Sequence, residues 1–354
     1  MRTRTIPSAS LPALALVALA TLASADHASR LPASLLIYPE FDNRQANLTL
    51  VTVTNTNCDF TPDQGLLLAG TIDVEFNYIG KYDAAGNPIQ CPKFDRTVRL
   101  SPCDTFTFIT SAHNPGQQQG FVYAFAKRPT DGEPVDFDHL IGNVARINGI
   151  ESIEYSTNAV AFVGYGDETF TGGTTDHDDD GIRDLDDSEY ADSADRLLIP
   201  RFLASSGRGV AGYDSELVLI GLAGGAQFTT VADFLVYNDN EEVFSATYTF
   251  KCWERVQLAT ISGAFTQAFL QGTNHASGEI LGASSQEAGW FEVTGNVAFS
   301  TVEQIDDPAI YAVLVERLLA GAAASDLPWE SSFHNDSGDL FPQTLLGDGG
   351  LDGQ

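Results

Sequence analysis

A run of acidic residues between positions 176 and 187 has the spacing that a cation-binding loop requires. Asp176, Asp178 and Asp180 alternate along the chain, and Gly181 follows where such a loop turns sharply. Because Ca²⁺ takes about six to eight hard oxygen ligands, a tightly turning loop can gather alternate carboxylates around one ion. The predicted ligands are Asp176, Asp178, Asp180, the carbonyl of Ile182, Asp184 and Asp187. The run therefore predicts a Ca²⁺ site, and the alternative interpretation is a solvated acidic linker.

This spacing resembles thrombospondin type 3 repeats and other EF-hand-like calcium loops, over about a dozen residues. In those loops an aspartate at position nine and an acid at position twelve complete the ligand shell, which implies these roles for Asp184 and Asp187. The segment departs from an EF-hand because position twelve is Asp187 rather than Glu, and because residues 172–175 replace the entering helix. Glu189 is an alternative distal ligand.

The N-terminus predicts export. Arg2 and Arg4 precede the apolar stretch Leu14 to Leu22, and Ala23-Ser24-Ala25 has the small residues of a cleavage site. We therefore expect residues 1–25 to be a signal peptide and the mature protein to be secreted, either extracellular or at the cell surface. No later stretch approaches the ~20 apolar residues of a transmembrane helix, so none is expected. Asp26, which is not Cys, argues against a lipid anchor.

The charge balance excludes some classes of partner. The chain has 48 acidic and 18 basic residues, a formal net charge of −30. Such a chain repels nucleic acid and anionic membranes. It suits a salty or calcium-bearing medium, although acidity for solubility alone is an equal alternative. With 43% hydrophobic residues, including 22 Phe, the chain can bury a large core.

A weak internal repeat predicts two copies of one domain. Six segments of the first half match, in order, six segments of the second. The pairs are 35–41 with 197–202, 48–54 with 216–222, 71–78 with 231–237, 91–100 with 252–258, 120–122 with 289–291, and 158–162 with 311–315.

Each copy has the pattern of a β-sandwich. Ile72, Val74, Phe76 and Tyr78 alternate with polar residues, the period of two that places one strand face on a core. We therefore expect an all-β protein with two tandem β-sandwich domains, 31–168 and 195–330, joined by a calcium-loop linker, 169–194, and followed by a flexible tail, 331–354. In this general arrangement the chain resembles secreted bacterial β-sandwich proteins, a resemblance that implies no particular activity.

Four cysteines in an exported chain predict two disulfides. If segments 48–54, 71–78 and 94–100 are successive antiparallel strands, Cys58 and Cys103 lie at the same sheet edge. Cys91 and Cys252 are equivalent in the repeat alignment, and a pseudo-two-fold axis would bring them together. We therefore expect Cys58–Cys103 and Cys91–Cys252, with a free Cys91 and Cys252 as the alternative.

Catalytic motifs are weak. His113 and His275 occupy equivalent places in the repeat and are best interpreted as structural loop histidines, with a metal or acid–base role as the alternative. Asp136, Asp138 and His139 form a polar group that could bind a cation or orient an imidazole, and a polar loop beside a strand is the alternative. We therefore expect a secreted, calcium-stabilised structural, adhesive or ligand-binding protein whose partner is a surface glycan or protein. The alternative is a secreted hydrolase acting on carbohydrate. The two catalytic carboxylates of such an enzyme are defined by their distance in the folded protein, and their spacing in the sequence does not reveal them.

Overall fold

The structure is a computed structural model that describes residues 31–62, 67–150, 153–166, 173–206, 213–238, 242–270, 287–318, 321–324, 329–330, 334–335 and 338–340. Nearly every element is a β-strand, which confirms the all-β prediction. The described residues include three α-helices of four residues each: α1 (Thr110–His113), α2 (Leu258–Ile261) and α3 (Gln267–Leu270). None of the helices in the described ranges is long and apolar enough to cross a membrane. The predicted signal peptide lies outside the described residues.

The first half of the chain forms nine strands. They are β1 (Leu35–Asp42), β2 (Asn47–Asn55), β3 (Ile72–Asp83), β4 (Lys93–Leu100), β5 (Thr105–Ile109), β6 (Gln117–Lys127), β7 (Leu140–Asn148), β8 (Ile153–Asn158) and β9 (Val160–Phe162). One sheet has the order β4-β3-β6-β1-β9, and facing it lies the row β5-β2-β7-β8.

The second half repeats this arrangement after two short linker strands, β10 (Asp184–Leu185) and β11 (Ser193–Ala194). Its strands are β12 (Arg196–Leu203), β13 (Tyr213–Gly221), β14 (Thr229–Tyr237), β15 (Val243–Phe250), β16 (Trp253–Gln257), β17 (Ala288–Phe299), β18 (Gln304–Asp306), β19 (Ile310–Leu318), β20 (Gly321–Ala324) and β21 (Trp329–Glu330). One sheet has the order β15-β14-β17-β12-β21, with β18 beside β17, and the other row is β16-β13-β19-β20.

The two halves therefore share one strand order, strand for strand. A shared irregularity supports the match. The pairing of β1 with β6 shifts register between Tyr38 and Phe41, and the pairing of β12 with β17 shifts between Ile199 and Phe202. Immediately after each shift, Phe41 lies opposite Gly120 and Phe202 opposite Gly289. These glycines are needed, because a Cβ on either would lie within 2.5 Å of a backbone oxygen.

Four of the six segment matches predicted from the sequence agree with this strand order, and two are wrong. Segment 91–100 contains β4, whose equivalent is β15, whereas segment 252–258 contains β16, whose equivalent is β5. Segment 158–162 contains β9, whose equivalent is β21 rather than β19. Cys252 is thus the counterpart of Cys103, since each lies within two residues of the start of the equivalent strand and each has a positive φ, 44° and 60°.

The halves pack directly on one another in four layers, rather than as two sandwiches spaced by a linker. Leu36 and Tyr38 of β1 face the core of the first half, while Leu35 and Ile37 belong to the core cluster of the second. Strand β16 packs on β3 and β6. The sheet β4-β3-β6-β1-β9 is therefore covered on one face by β5-β2-β7-β8 and on the other by β16-β13-β19. A parallel pairing of β20 with β8 joins these two covering rows into one eight-stranded sheet.

The C-terminal segment also pairs with the linker. Strand β22 (His334–Asn335) pairs with β11, and β23 (Gly338–Asp339) pairs with β10. Leu340 is buried, and its amide donates to the carbonyl of Arg183. Within the predicted tail, 331–354, the described residues 334–335 and 338–340 therefore contact the linker.

The cysteines pair as expected, Cys58 with Cys103 and Cys91 with Cys252. The strand order used to choose the first pair is wrong, because β2 and β3 lie in different sheets. Cys58 meets Cys103 because the chain crosses after β4 to form β5, which pairs with β2, so that Thr54 lies opposite Thr105. The second disulfide links the two halves across the middle interface.

Candidate metal centre

The acidic loop is held at both ends by the first half of the protein. Thr174 forms a β-bridge with Val135, and Tyr190 forms one with Gly164. The hydroxyls of Thr175 and Tyr190 lie 2.6 Å apart, and both residues are completely buried. The intervening residues, 176–189, must therefore close into a compact loop.

Within this loop five carboxylates converge in two overlapping groups. Asp176, Asp178 and Glu189 form one group, and Asp178, Asp180 and Asp184 form the other. In each group one oxygen from every residue lies within 4.8 Å of the others. Asp178 belongs to both. Such groups of carboxylate oxygens could hold a metal ion.

Backbone amides fix the orientation of the aspartates. The amide of Ile182 donates to Asp180 Oδ1 at 2.7 Å, and the amide of Asp180 donates to Asp178 Oδ1 at 3.2 Å. Gly181 makes the sharp turn with a φ of +81°, a conformation that glycine adopts without strain. Its amide points to Asp176 Oδ1 at 3.4 Å. The predicted role of Gly181 as the turn residue agrees with this geometry, and the side chain of Ile182 is buried beneath the loop.

Glu189 is the most buried of the five acids, with 2% of its surface exposed. Its Oε1 accepts from the amide of His177 at 2.5 Å, and its Oε2 accepts from the amide of Asp184 at 3.3 Å. Burial raises the pKa of Glu189 to about 7, although these amides and Arg183 act in the opposite direction. A carboxylate that is costly to ionise when buried gains most from a nearby cation.

Asp187, the predicted position-twelve ligand, belongs to neither group. It has a φ of +65°, and its Oδ1 accepts from the amide of Asp192 at 3.1 Å. A tight turn places it there, since the amide of Asp187 donates to Tyr190 and the amide of Tyr190 donates to Asp184. The turn directs Asp187 away from the other acids and returns Glu189 to them.

A buried arginine accompanies the acids. Arg183 is 3% exposed, lies 2.6 Å from Asp176 Oδ2, and stacks over the ring of Phe125 at 5.2 Å. It connects the loop to β6, and the sequence pattern did not indicate this contact. One guanidinium among five carboxylates leaves the loop strongly negative, and repulsion from Asp178 and Asp176 adds to burial in raising the pKa of Asp180.

His113, the first of the two candidate histidines, lies in an aromatic cluster. His113 Nδ1 lies 2.8 Å from the hydroxyl of Tyr78, and its ring packs among Phe76, Phe106 and Phe108. Burial, assisted by Arg96, lowers the pKa of His113 to about 4. His275 lies outside the described residues.

The carboxylates of Asp136 and Asp138 both lie next to the hydroxyl of Ser34. Ser34 Oγ donates to Asp138 Oδ1 at 2.7 Å and lies 3.5 Å from Asp136 Oδ1. Burial raises the pKa of both carboxyls, and repulsion from Asp138 raises that of Asp136 further. Asp138 also accepts from the amide of Gly164 at 2.9 Å, so this group anchors the chain next to the acidic loop.

The chain matches no known protein-family model and no curated protein. Among solved structures it is similar to a chain described as "Crystal Structure of Thermotoga maritima 1070", with 8% sequence identity and a TM-score of 0.25. The alignment covers 40% of this chain and 97% of the other. A TM-score this low supports no inference about fold or function.

Proposed function

We propose that this chain is a secreted, calcium-stabilised protein with a structural, adhesive or ligand-binding role outside the cell. The observation that carries the proposal is the convergence of Asp176, Asp178, Asp180, Asp184 and Glu189 in one loop. Hard carboxylate oxygens at this spacing suit Ca²⁺ better than softer metals. The N-terminal sequence and the two disulfides support an oxidising, extracellular setting.

The position of the loop explains what an ion would do. On one side the loop is bridged to residues 134–136 and 163–165 of the first half, and on the other β10 pairs with β23. Neutralising the acids would remove repulsion at the point where the first half, the linker and the C-terminal segment meet. An ion bound there would stabilise this junction, because it binds the folded loop and not the unfolded chain.

Surface features favour binding over hydrolysis. On the outer face of the six-stranded sheet Tyr237 and Trp290 stack at 4.0 Å, and Trp290 is 38% exposed. Exposed aromatic residues are enriched where proteins meet partners. A cleft of about 330 Å³ in the first half has no carboxylate or histidine in its lining, whereas a glycosidase needs a pair of carboxylates.

Calcium titration by calorimetry tests the proposal. Asp178→Asn removes the carboxylate shared by both groups, and Asp179→Asn makes the same change of charge at an exposed neighbour outside both. We expect the wild type to bind Ca²⁺ with a dissociation constant of about 10⁻⁴ to 10⁻³ M, the range of extracellular modules. Asp178→Asn should weaken binding at least about tenfold, and Asp179→Asn should change it little. The stoichiometry reports whether one ion or two occupy the groups.

Equal heats from the wild type and Asp178→Asn would contradict the calcium assignment. Release of reducing sugars from a panel of polysaccharides, abolished by Asp138→Asn, would instead favour the hydrolase alternative.

A further inference from the structure

A cleft of about 330 Å³ opens in the first half, away from the acidic loop. It lies where the chain leaves β8 and crosses to the other sheet as β9, next to residues 141–143 of β7. Its volume is at the lower end of the range for small-molecule sites, about 300 to 1,000 Å³.

No ionisable side chain lines this cleft, although the chain carries a net charge of −30. A charged ligand would lose its hydration there without gaining a counter-charge. The cleft therefore selects neutral molecules.

The cleft is lined by both apolar and polar side chains. Leu36, Ala161 and Ile141 are among the apolar ones, and Ile141 lies directly opposite Thr54 in the pairing of β7 with β2. Of the polar ones, Thr54 has its hydroxyl held 2.9 Å from that of Thr105, and the Asn143 amide donates to the carbonyl of Thr157 at 2.9 Å. These contacts preorganise the polar groups.

Asn158 is a further polar lining residue, and its side chain has spare hydrogen-bonding capacity. Its side chain is exposed and has no hydrogen-bond partner among the described residues. An amide offers both donors and acceptors, which matches a ligand whose hydroxyls both donate and accept.

We propose that this cleft binds one or two rings of a neutral saccharide. A pyranose ring presents C–H groups on one face and hydroxyls around its edge, and it carries no charge. It therefore matches a neutral cleft whose lining combines aliphatic side chains with amides and hydroxyls. This inference rests on the proposed binding role and specifies the class of ligand.

Saturation-transfer NMR with the full chain tests the inference. The probes are glucose, galactose, mannose, N-acetylglucosamine, cellobiose, maltose and lactose, with galacturonate and glucosamine as charged comparators. We expect at least one neutral saccharide to bind. Its affinity should fall at least about fivefold in Asn158→Ala and in Thr54→Ala, and binding should be lost in Ile141→Trp, which fills the cleft.

Thr249→Ala is the matched control, because Thr249 is an exposed strand threonine in the other half. The inference is overturned if no neutral saccharide binds, if the cleft variants bind as the wild type does, or if galacturonate or glucosamine binds more tightly. Thermal melts of the same samples with and without Ca²⁺ separate the two proposals. If Ca²⁺ stabilises the chain but no saccharide binds, the cleft inference alone is overturned. If Ca²⁺ does not stabilise the chain, the proposed function is overturned.

Discussion

At the residue scale, the acid that lies with the other four in the loop is Glu189 rather than Asp187. The register of Asp176, Asp178, Asp180 and Gly181 is visible in the sequence because side-chain spacing alone determines it. Which acid joins the group depends on the turn at residues 186–190, where Asp187 takes a left-handed conformation. The sequence left Glu189 only as an alternative, since no local pattern encodes its burial.

Substituting Glu189 and Asp187 separately by their amides gives a direct prediction. Glu189→Gln keeps the side-chain length and removes the charge, and we expect it to weaken Ca²⁺ binding at least about tenfold, because a buried ligand is lost. Asp187→Asn removes a charge at the surface of the same loop and should weaken binding less than about threefold. Terbium luminescence with calcium competition measures both. A larger loss from Asp187→Asn would place the ligand at position twelve after all.

His113 predicts a pH dependence of stability. Its pKa in the folded protein is about 4, below the ordinary value of 6.5, because the aromatic surroundings exclude water. Between these values the unfolded chain binds a proton that the folded chain does not, so the free energy of unfolding falls as pH falls from about 6.5 to about 4. Above about 6.5 this effect is absent.

Urea unfolding at pH 7 and pH 5 tests this dependence. His113→Gln should show a smaller loss of stability between the two pH values than the wild type does. The exposed His139→Gln is the control and should retain the wild-type difference. An unchanged difference in His113→Gln would show that other groups cause the acid sensitivity.

At the element scale, strands were predictable and their neighbours were not. Alternating residues reveal β3 because one face of its first half is buried against a core, whereas β6 is buried along nearly its whole length. The local sequence does not determine which sheet a strand joins, since β2 and β3 have the same alternating pattern yet lie in different sheets. The same limitation caused the misalignment of β4 with β16. Strand β6 is buried on both faces, which indicates a second interface. The alternating pattern alone does not identify the partner at that interface.

The two disulfides should contribute unequally to stability. They close loops with sequence separations of 161 and 45 residues, and the chain-entropy estimate gives about 5 kcal/mol for Cys91–Cys252 and about 4 kcal/mol for Cys58–Cys103. We therefore expect Cys91→Ala with Cys252→Ala to lower the free energy of unfolding more than Cys58→Ala with Cys103→Ala. Urea titration of each double variant measures this, and the opposite order would contradict it.

At the scale of the whole molecule, buried ion pairs cross between the halves. Arg255 of β16 lies 2.7 Å from Glu40 of β1 and 2.6 Å from Glu216 of β13. Burial alone would raise the pKa of Glu40, but Arg255 and Arg146 together lower it. Nearby, Trp253 Nε1 donates to the carbonyl of Pro39 at 3.0 Å. No sequence motif marks this network, because its members come from distant strands.

Breaking this network should be costly. Glu40→Ala leaves the arginines with one fewer buried counter-charge, and loss of one partner of a buried ion pair typically costs about 3 to 5 kcal/mol. The control Asp73→Ala breaks the surface pair with Arg99 and should cost at most about 1 kcal/mol. Urea unfolding at pH 7 compares them, and similar losses in both variants would show that the interface network contributes little.

The four-layer arrangement predicts that the halves unfold together. The sheet β4-β3-β6-β1-β9 buries Leu35, Ile37 and Phe121 against the second half, so separation would expose a large apolar face. Calorimetry of the full chain should therefore show one transition, with equal calorimetric and van't Hoff enthalpies. Residues 31–168 expressed alone should aggregate or remain poorly packed, because their outer face loses its cover. Two resolved transitions, or a monomeric fragment with dispersed amide resonances, would show instead that each half is an autonomous domain.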